Sequence, residues 1–238
     1  MSFRNSVTIV ASPRPRVGKT LLARLLTDFH IHEDRPVAAF DLNAGEGTLA
    51  QFLPEHAAVA GIGDVKGQMA LFDRLVADDG VPKIVDVGHE RFEAFFALAK
   101  RLRFAEEAQR RHIAPSVLFM ATPDSTSVEA YERLRADADL TVTPVYNELL
   151  GAMPHRDRYS FVAADTSPLR VAALTAALRK YIETPPFSFS GGDLANAANI
   201  PIDAHIELQR WLRKIYAEFR ELDLRVVAGG ELAAAVRL

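Results

Sequence analysis

The chain has 238 residues, of which 49% are hydrophobic and 25% charged, with a formal net charge of -3 at pH 7. That length suits one large domain or two small ones, and the slightly acidic balance argues against broad, non-specific binding to nucleic acid. The absence of cysteine excludes a disulfide framework, a thiol nucleophile and a cysteine zinc site. The first residues lack the order of a signal peptide, and no apolar run reaches the roughly 18 residues of a membrane helix. A cytoplasmic protein is expected.

Val7, Ile9 and Val10 mark a buried strand over residues 7–11. After a turn rich in proline, Leu21, Leu22, Leu25, Leu26 and Phe29 share one face of a helix. Residues 37–40 predict a second strand that ends at Asp41, and a helix is expected around 69–76. Residues 83–87 predict a third strand ending in Gly88, followed by one long helix from Phe92 to about Arg110. A fourth strand is expected over 116–121, with a helix over 128–136, and a fifth over 140–146 despite Pro144, which suits sheet edges or bulges. A sixth is expected over 159–163, and Pro168 is placed to open a helix reaching Ile182. Short apolar strands alternating with helices predict an α/β fold with a mostly parallel sheet covered by helices on both faces. The whole chain reads as a single domain, in which residues 184–238 supply a loop and an amphipathic helix. That helix carries Leu208, Trp211, Leu212, Ile215, Tyr216, Phe219 and Leu222 at helical spacing.

Between the first strand and its helix lies Val17-Gly18-Lys19-Thr20. A phosphate loop has the pattern G-x-x-x-x-G-K-[ST] at such a junction, because backbone N–H groups and a helix N-terminus bind phosphate oxygens. Lys19 would neutralise the outer phosphates and Thr20 would offer its hydroxyl to Mg2+. Pro13 occupies the first glycine position, and Pro13 and Pro15 have no N–H to donate. Arg16 stands where glycine is usual, and a positive φ there is strained. Arg14 and Arg16 add two charges that can pair with phosphate.

These residues resemble the deviant loop K-G-G-x-G-K-[ST] of the ParA/MinD branch of P-loop ATPases. The matching stretch is Arg14-Pro15-Arg16-Val17-Gly18-Lys19-Thr20, which puts Arg14 at the family's signature lysine. The resemblance implies a P-loop NTPase fold that binds ATP and Mg2+. It further implies that Arg14 reaches phosphate, including one held by a partner subunit. At the end of the second strand, Asp41 matches the first carboxylate of a D-x-D motif and Asn43 falls on the second, which in the family positions the attacking water. An amide can hold a water but cannot accept its proton as a carboxylate can. Asp86 matches the aspartate that holds the Mg2+ shell, and Gly88 the residue that lets the next loop sense the γ-phosphate. Thr122-Pro123-Asp124 and Ser127 resemble the T-x-P-[DE]-x-x-S segment, and Asn147 the asparagine that contacts the base, adenine being favoured over guanine. Taken by themselves, Asp41 and Asp86 also read as cap or turn aspartates, and Asn147 as a turn residue.

No H-E-x-x-H helix and no G-x-S-x-G elbow is present, and His89 reads either as a loop histidine or as a neighbour of the phosphate site. The basic stretch around Lys100, Arg101 and Arg103, with Arg110 and Arg111, reads as a solvated face or a partner surface; a nucleic-acid role has no further support. The mixed charges of the last helix argue against a membrane, and its aromatic stripe suits a core or dimer interface. The resemblance implies a switch acting with Arg14, Lys19 and Asn43 as catalytic residues. Arg16, Val17, Gly18, Lys19, Thr20, Gly88 and Asn147 would bind nucleotide, and Thr20, Asp41 and Asp86 the metal. It would form a nucleotide-dependent homodimer, engage an unidentified protein partner and hydrolyse ATP slowly while positioning a cargo. The alternatives are a nucleotide-binding scaffold without hydrolysis and a small-molecule ligase resembling dethiobiotin synthetase.

Overall fold

The computed structural model describes residues 5–43, 48–136, 140–154, 157, 159–161, 167–190 and 200–235. Seven strands form one sheet: β1 (Ser6–Ala11), β2 (Ala38–Asp41), β3 (Ala57–Val59), β4 (Lys83–Asp86), β5 (Ala114–Met120), β6 (Thr141–Asn147) and β7 (Leu169–Val171). Their order is β3-β2-β4-β1-β5-β6-β7, and every pairing is parallel. Helices cover both faces, as the alternation of strands and helices predicts.

Strand side chains alternate between two cores, as the two-residue period of a pleat requires. Val10, Ala39, Ile84, Leu118 and Val145 face α1 (Lys19–His32), α2 (Leu49–Phe52), α7 (Ala176–Ile182) and α8 (Ile202–Ala235). Ile9, Phe40, Val85, Val117 and Tyr146 face α3 (Val65–Leu75), α4 (Phe92–Arg101), α5 (Phe104–Arg110) and α6 (Ser125–Ala136). A sheet buried on both faces explains why its strands read as continuous apolar runs.

Several elements differ from their sequence-based expectation. The helix expected over 92–110 is two helices, broken where Arg103 adopts a left-handed φ of 50°. Leu98 and Phe104 are both buried, yet six residues of uninterrupted helix would set them about 120° apart around the axis. The break turns Phe104 back into the core. Pro168 opens β7 rather than a helix: Leu169 and Val171 are buried while Arg170 is exposed, and the helix begins only at Ala176. Of the strand expected over 159–163, Tyr159–Phe161 is a 3-10 turn, and 162 and 163 lie outside the described residues. The three residues of β3 carried no strand signal of their own. Pro144 is accommodated inside β6 because Val145 turns its carbonyl to the N–H of Ala121, the residue just past β5. The backbone of Pro144 therefore faces the β7 side, where pairing begins only at Val145.

The aromatic stripe of α8 is core. Leu208, Trp211, Ile215 and Phe219 are buried, Phe29 of α1 meets Tyr216 and Phe219 with ring centroids 5.4 and 5.5 Å apart, and Trp211 Nε1 donates to Ala172 O at 2.8 Å. No helix among the described residues is long and apolar enough to cross a membrane.

Candidate functional site

The chain runs from β1 leftward to β2 and β3, returns through β4, then crosses to β5 on the other side of β1. In open α/β sheets such a reversal leaves a crevice outside the C-terminal strand ends. The loop after β1, the end of β2 and the end of β4 all meet there.

The turn into α1 is tightly determined. Gly18 has φ 92°, and a Cβ on it would lie 2.4 Å from Asn147 Nδ2, so both its conformation and its surroundings demand glycine. Arg16 also has a positive φ, 57°, as its place in the loop predicts. No side chain caps the start of α1, and its first turn holds no acid. Lys19 is 7% exposed and its Nζ donates to Arg14 O at 2.7 Å, curling the side chain back under the loop. Burial lowers its pKa, opposed by Asp86. Arg14 and Arg16 are exposed, and Arg14 Nε pairs with Asp124 Oδ2 at 3.3 Å.

Thr20 Oγ1 donates to Asp86 Oδ2 at 2.7 Å, joining the start of α1 to β4. Asp86 is wholly buried, and its Oδ1 has no hydrogen-bond partner. Burial pushes its pKa up to about 7; the Thr20 hydroxyl opposes this, Asp41 adds to it, and Lys19 and Asn43 oppose it. The Asn43 amide lies between Asp86 and Asp41, and Asp41 Oδ2 accepts the backbone N–H of Ala50 at 2.8 Å. Gly88 covers this group: a Cβ there would stand 2.9 Å from Asn43 Oδ1. Asn147, at the end of β6, donates from Nδ2 to Val17 O at 2.9 Å and accepts Leu149 N–H at its Oδ1. It therefore braces the loop from the far side.

Thr20, Asp41, Asn43 and Asp86 thus form one hydrogen-bonded cluster, with Lys19 and Gly18 beside it. His89 is exposed on the 3-10 turn that follows Gly88. Two further residues brace the loop: Ser12 had no sequence signal beyond turn composition, and Asp124 was singled out only within the T-x-P-[DE]-x-x-S resemblance. Ser12 donates to Met120 O at 3.0 Å and accepts from Arg14 N at 3.3 Å. Asp124 anchors Arg14 while also accepting from Thr122 Oγ1 at 2.7 Å.

The basic stretch of α4 and α5 is largely self-neutralised, since Arg103 pairs with Glu106 and both Arg110 and Arg111 pair with Glu107. A hollow of about 420 Å³ beside it, lined by Phe96, Phe104 and Leu134 among others, includes no residue of the β1–α1 loop.

No family model matches the chain, and no curated protein matches it. Among solved structures it is similar to a chain of the MinC:MinD cell division protein complex of Aquifex aeolicus. The identity is 11%, the match covers 88% of this chain and 96% of that one, and the TM-score is 0.47. The parallel sheet with helices on both faces is an α/β fold, as the alternation of strands and helices predicts.

Proposed function

We propose that the chain binds ATP with Mg2+ on the loop between β1 and α1 and works as a nucleotide-dependent switch. The observation that carries this reading is the join of Thr20 Oγ1 to the buried Asp86 at 2.7 Å, beside Lys19 at the uncapped start of α1. A hydroxyl and a carboxylate are hard oxygen donors of the kind Mg2+ takes alongside phosphates and water. The unpartnered Oδ1 of Asp86 is a buried acceptor that a cation would satisfy. The residues present therefore fit the group, with Thr20 and Asp86 as its protein ligands. Bound there, the ion would neutralise charge on the outer phosphates.

In this reading Lys19 releases Arg14 O and turns its ammonium to phosphate, while Gly18 lets the backbone approach closely. Asp41 holds the start of α2 and orients Asn43. Arg14, only tethered to Asp124, is free to swing toward phosphate on its own chain or on a second copy. The expected assembly is a nucleotide-dependent homodimer that engages another protein. The test is calorimetric titration of ATP with Mg2+. Lys19→Ala should abolish binding, and affinity equal to that of the wild type would contradict the proposal.

A second reading, a nucleotide-binding scaffold with little turnover, is favoured by Asn43. Both hydrogens of its amide are engaged by acids, and no carboxylate stands in its place to accept a proton from water. A phosphate-release assay separates the two: clear Mg2+-dependent turnover excludes the scaffold, while a rise in turnover for Asn43→Asp marks a muted site.

A further inference from the structure

Asn43 lies between two buried carboxylates. Its Nδ2 donates to Asp41 Oδ1 at 2.9 Å and to Asp86 Oδ2 at 2.8 Å, and lies 3.4 Å from Asp86 O. An amide nitrogen carries two hydrogens, so the two short bonds use both. Its backbone N–H also donates to Asp41 Oδ1, at 2.9 Å. Asp41 and Asp86 are each 0% exposed, and Asp86 keeps one oxygen, Oδ1, with no partner. Neighbouring carboxylates buried in this way ordinarily call for a cation or a shared proton. Here a neutral amide stands between them, the Lys19 ammonium acts on Asp86 from beside the pair, and the covering Gly88 leaves no room for a larger group on the oxygen side of Asn43.

We infer that Asn43 sets the cation requirement of this site. Its amide is the standing counter-group of Asp41 and Asp86, so the cluster takes up a divalent cation, on Thr20 and Asp86, only alongside a polyphosphate. A carboxylate at position 43 would make the cluster a divalent-cation site that needs no nucleotide. Only the polyphosphate clause rests on the nucleotide reading above. Among the described residues no group of three or more His, Asp or Glu side chains is gathered to hold a metal, and Asn43→Asp would create one.

The experiment titrates Mn2+ into the full chain without nucleotide and follows free Mn2+ by its electron paramagnetic resonance signal. The wild type should show no saturable binding. Asn43→Asp should bind saturably, at least about tenfold more tightly than any residual association with the wild type, the scale on which groups around a metal shift affinity. Asn43→Ala, which removes the donors but adds no acid, should gain less. Added Mn2+ should raise the melting temperature of Asn43→Asp and leave that of the wild type unchanged. If Asn43→Asp fails to fold without metal, recovery on adding Mn2+ supports the inference, and Asn43→Ala remains as the second test. Saturable Mn2+ binding by the nucleotide-free wild type, or no gain in either variant, overturns it. ATP titrated into the same preparations separates the two ideas. A gain in Mn2+ binding without any ATP binding by the wild type would overturn the nucleotide reading and leave the cation assignment standing.

Discussion

Gly18 is constrained twice over, by its left-handed φ of 92° and by Asn147 Nδ2 at 2.4 Å from the position of a Cβ. Gly18→Ala should therefore cost at least about 1–2 kcal/mol from the backbone alone. It should also displace Asn147 from Val17 O. Urea denaturation measures the loss, and a stability equal to the wild type would mean that the loop relaxes freely. Lys19, Thr20 and Asp86 were legible as a group because Lys19 and Thr20 open the helix after β1 and Asp86 ends β4, where sequence order predicts spatial convergence. The partners of Ser12 and Arg14 were not, because Met120 and Asp124 lie more than 100 positions away, on a neighbouring strand and the turn after it. Nor could the sequence reveal that Asn43 would spend its amide on two acids. That depends on the ends of β2 and β4 meeting side by side, Asp41 opposite Asp86.

Helix α1 follows the β1–α1 loop at one end and fastens the C-terminal segment along its length. Arg24, 3% exposed, donates to Ile182 O and Phe187 O and stacks 3.6 Å from the centroid of the Phe52 ring. Burial lowers its pKa to about 9, and Asp28 and Glu183 oppose this. One turn on, Asp28 accepts from Phe189 N at 3.0 Å and Ser190 Oγ at 2.7 Å, among other donors. Asp28→Ala would leave these donors buried without their acceptor and should cost about 3 kcal/mol by urea denaturation; a change below about 0.5 kcal/mol would show that the segment does not depend on it. His30, buried on α1, has a pKa lowered from 6.5 to about 4 by burial and by Arg35, with Asp223 and Glu33 opposing. Its neutral form is the folded one. Stability is thus fully present above pH 6.5, where the unfolded imidazole is also neutral. It falls as pH drops toward 4, by up to about 3 kcal/mol at roughly 1.4 kcal/mol per unit. His30→Leu should flatten that slope in denaturation measured at pH 7.5 and pH 5, and an unchanged slope would contradict the assignment. Periodicity located α1 and α8, since each has an apolar stripe. It failed for the α4–α5 break, where two apolar stripes out of phase looked like one, and for β7, where three edge residues behind a proline resembled a helix start.

At the scale of the molecule, the strand order decides where chemistry can occur. Placing β4 between β2 and β1 brings Asp41, Asp86 and Thr20 to one end of the sheet, and the crossover to β5 opens the space beside them. The alternation of strands and helices made the sheet and its two covered faces legible. The seven-strand order was not, because β3 is three residues long and gains its definition only by pairing with β2. A crystal structure grown with a non-hydrolysable ATP analogue and Mg2+ tests the central claim most directly. Phosphates should lie over the start of α1, with Lys19 Nζ moved from Arg14 O to a phosphate oxygen and metal density between Thr20 and Asp86. Crystals grown at saturating analogue that show an empty loop, with Lys19 still bonded to Arg14 O, would contradict it.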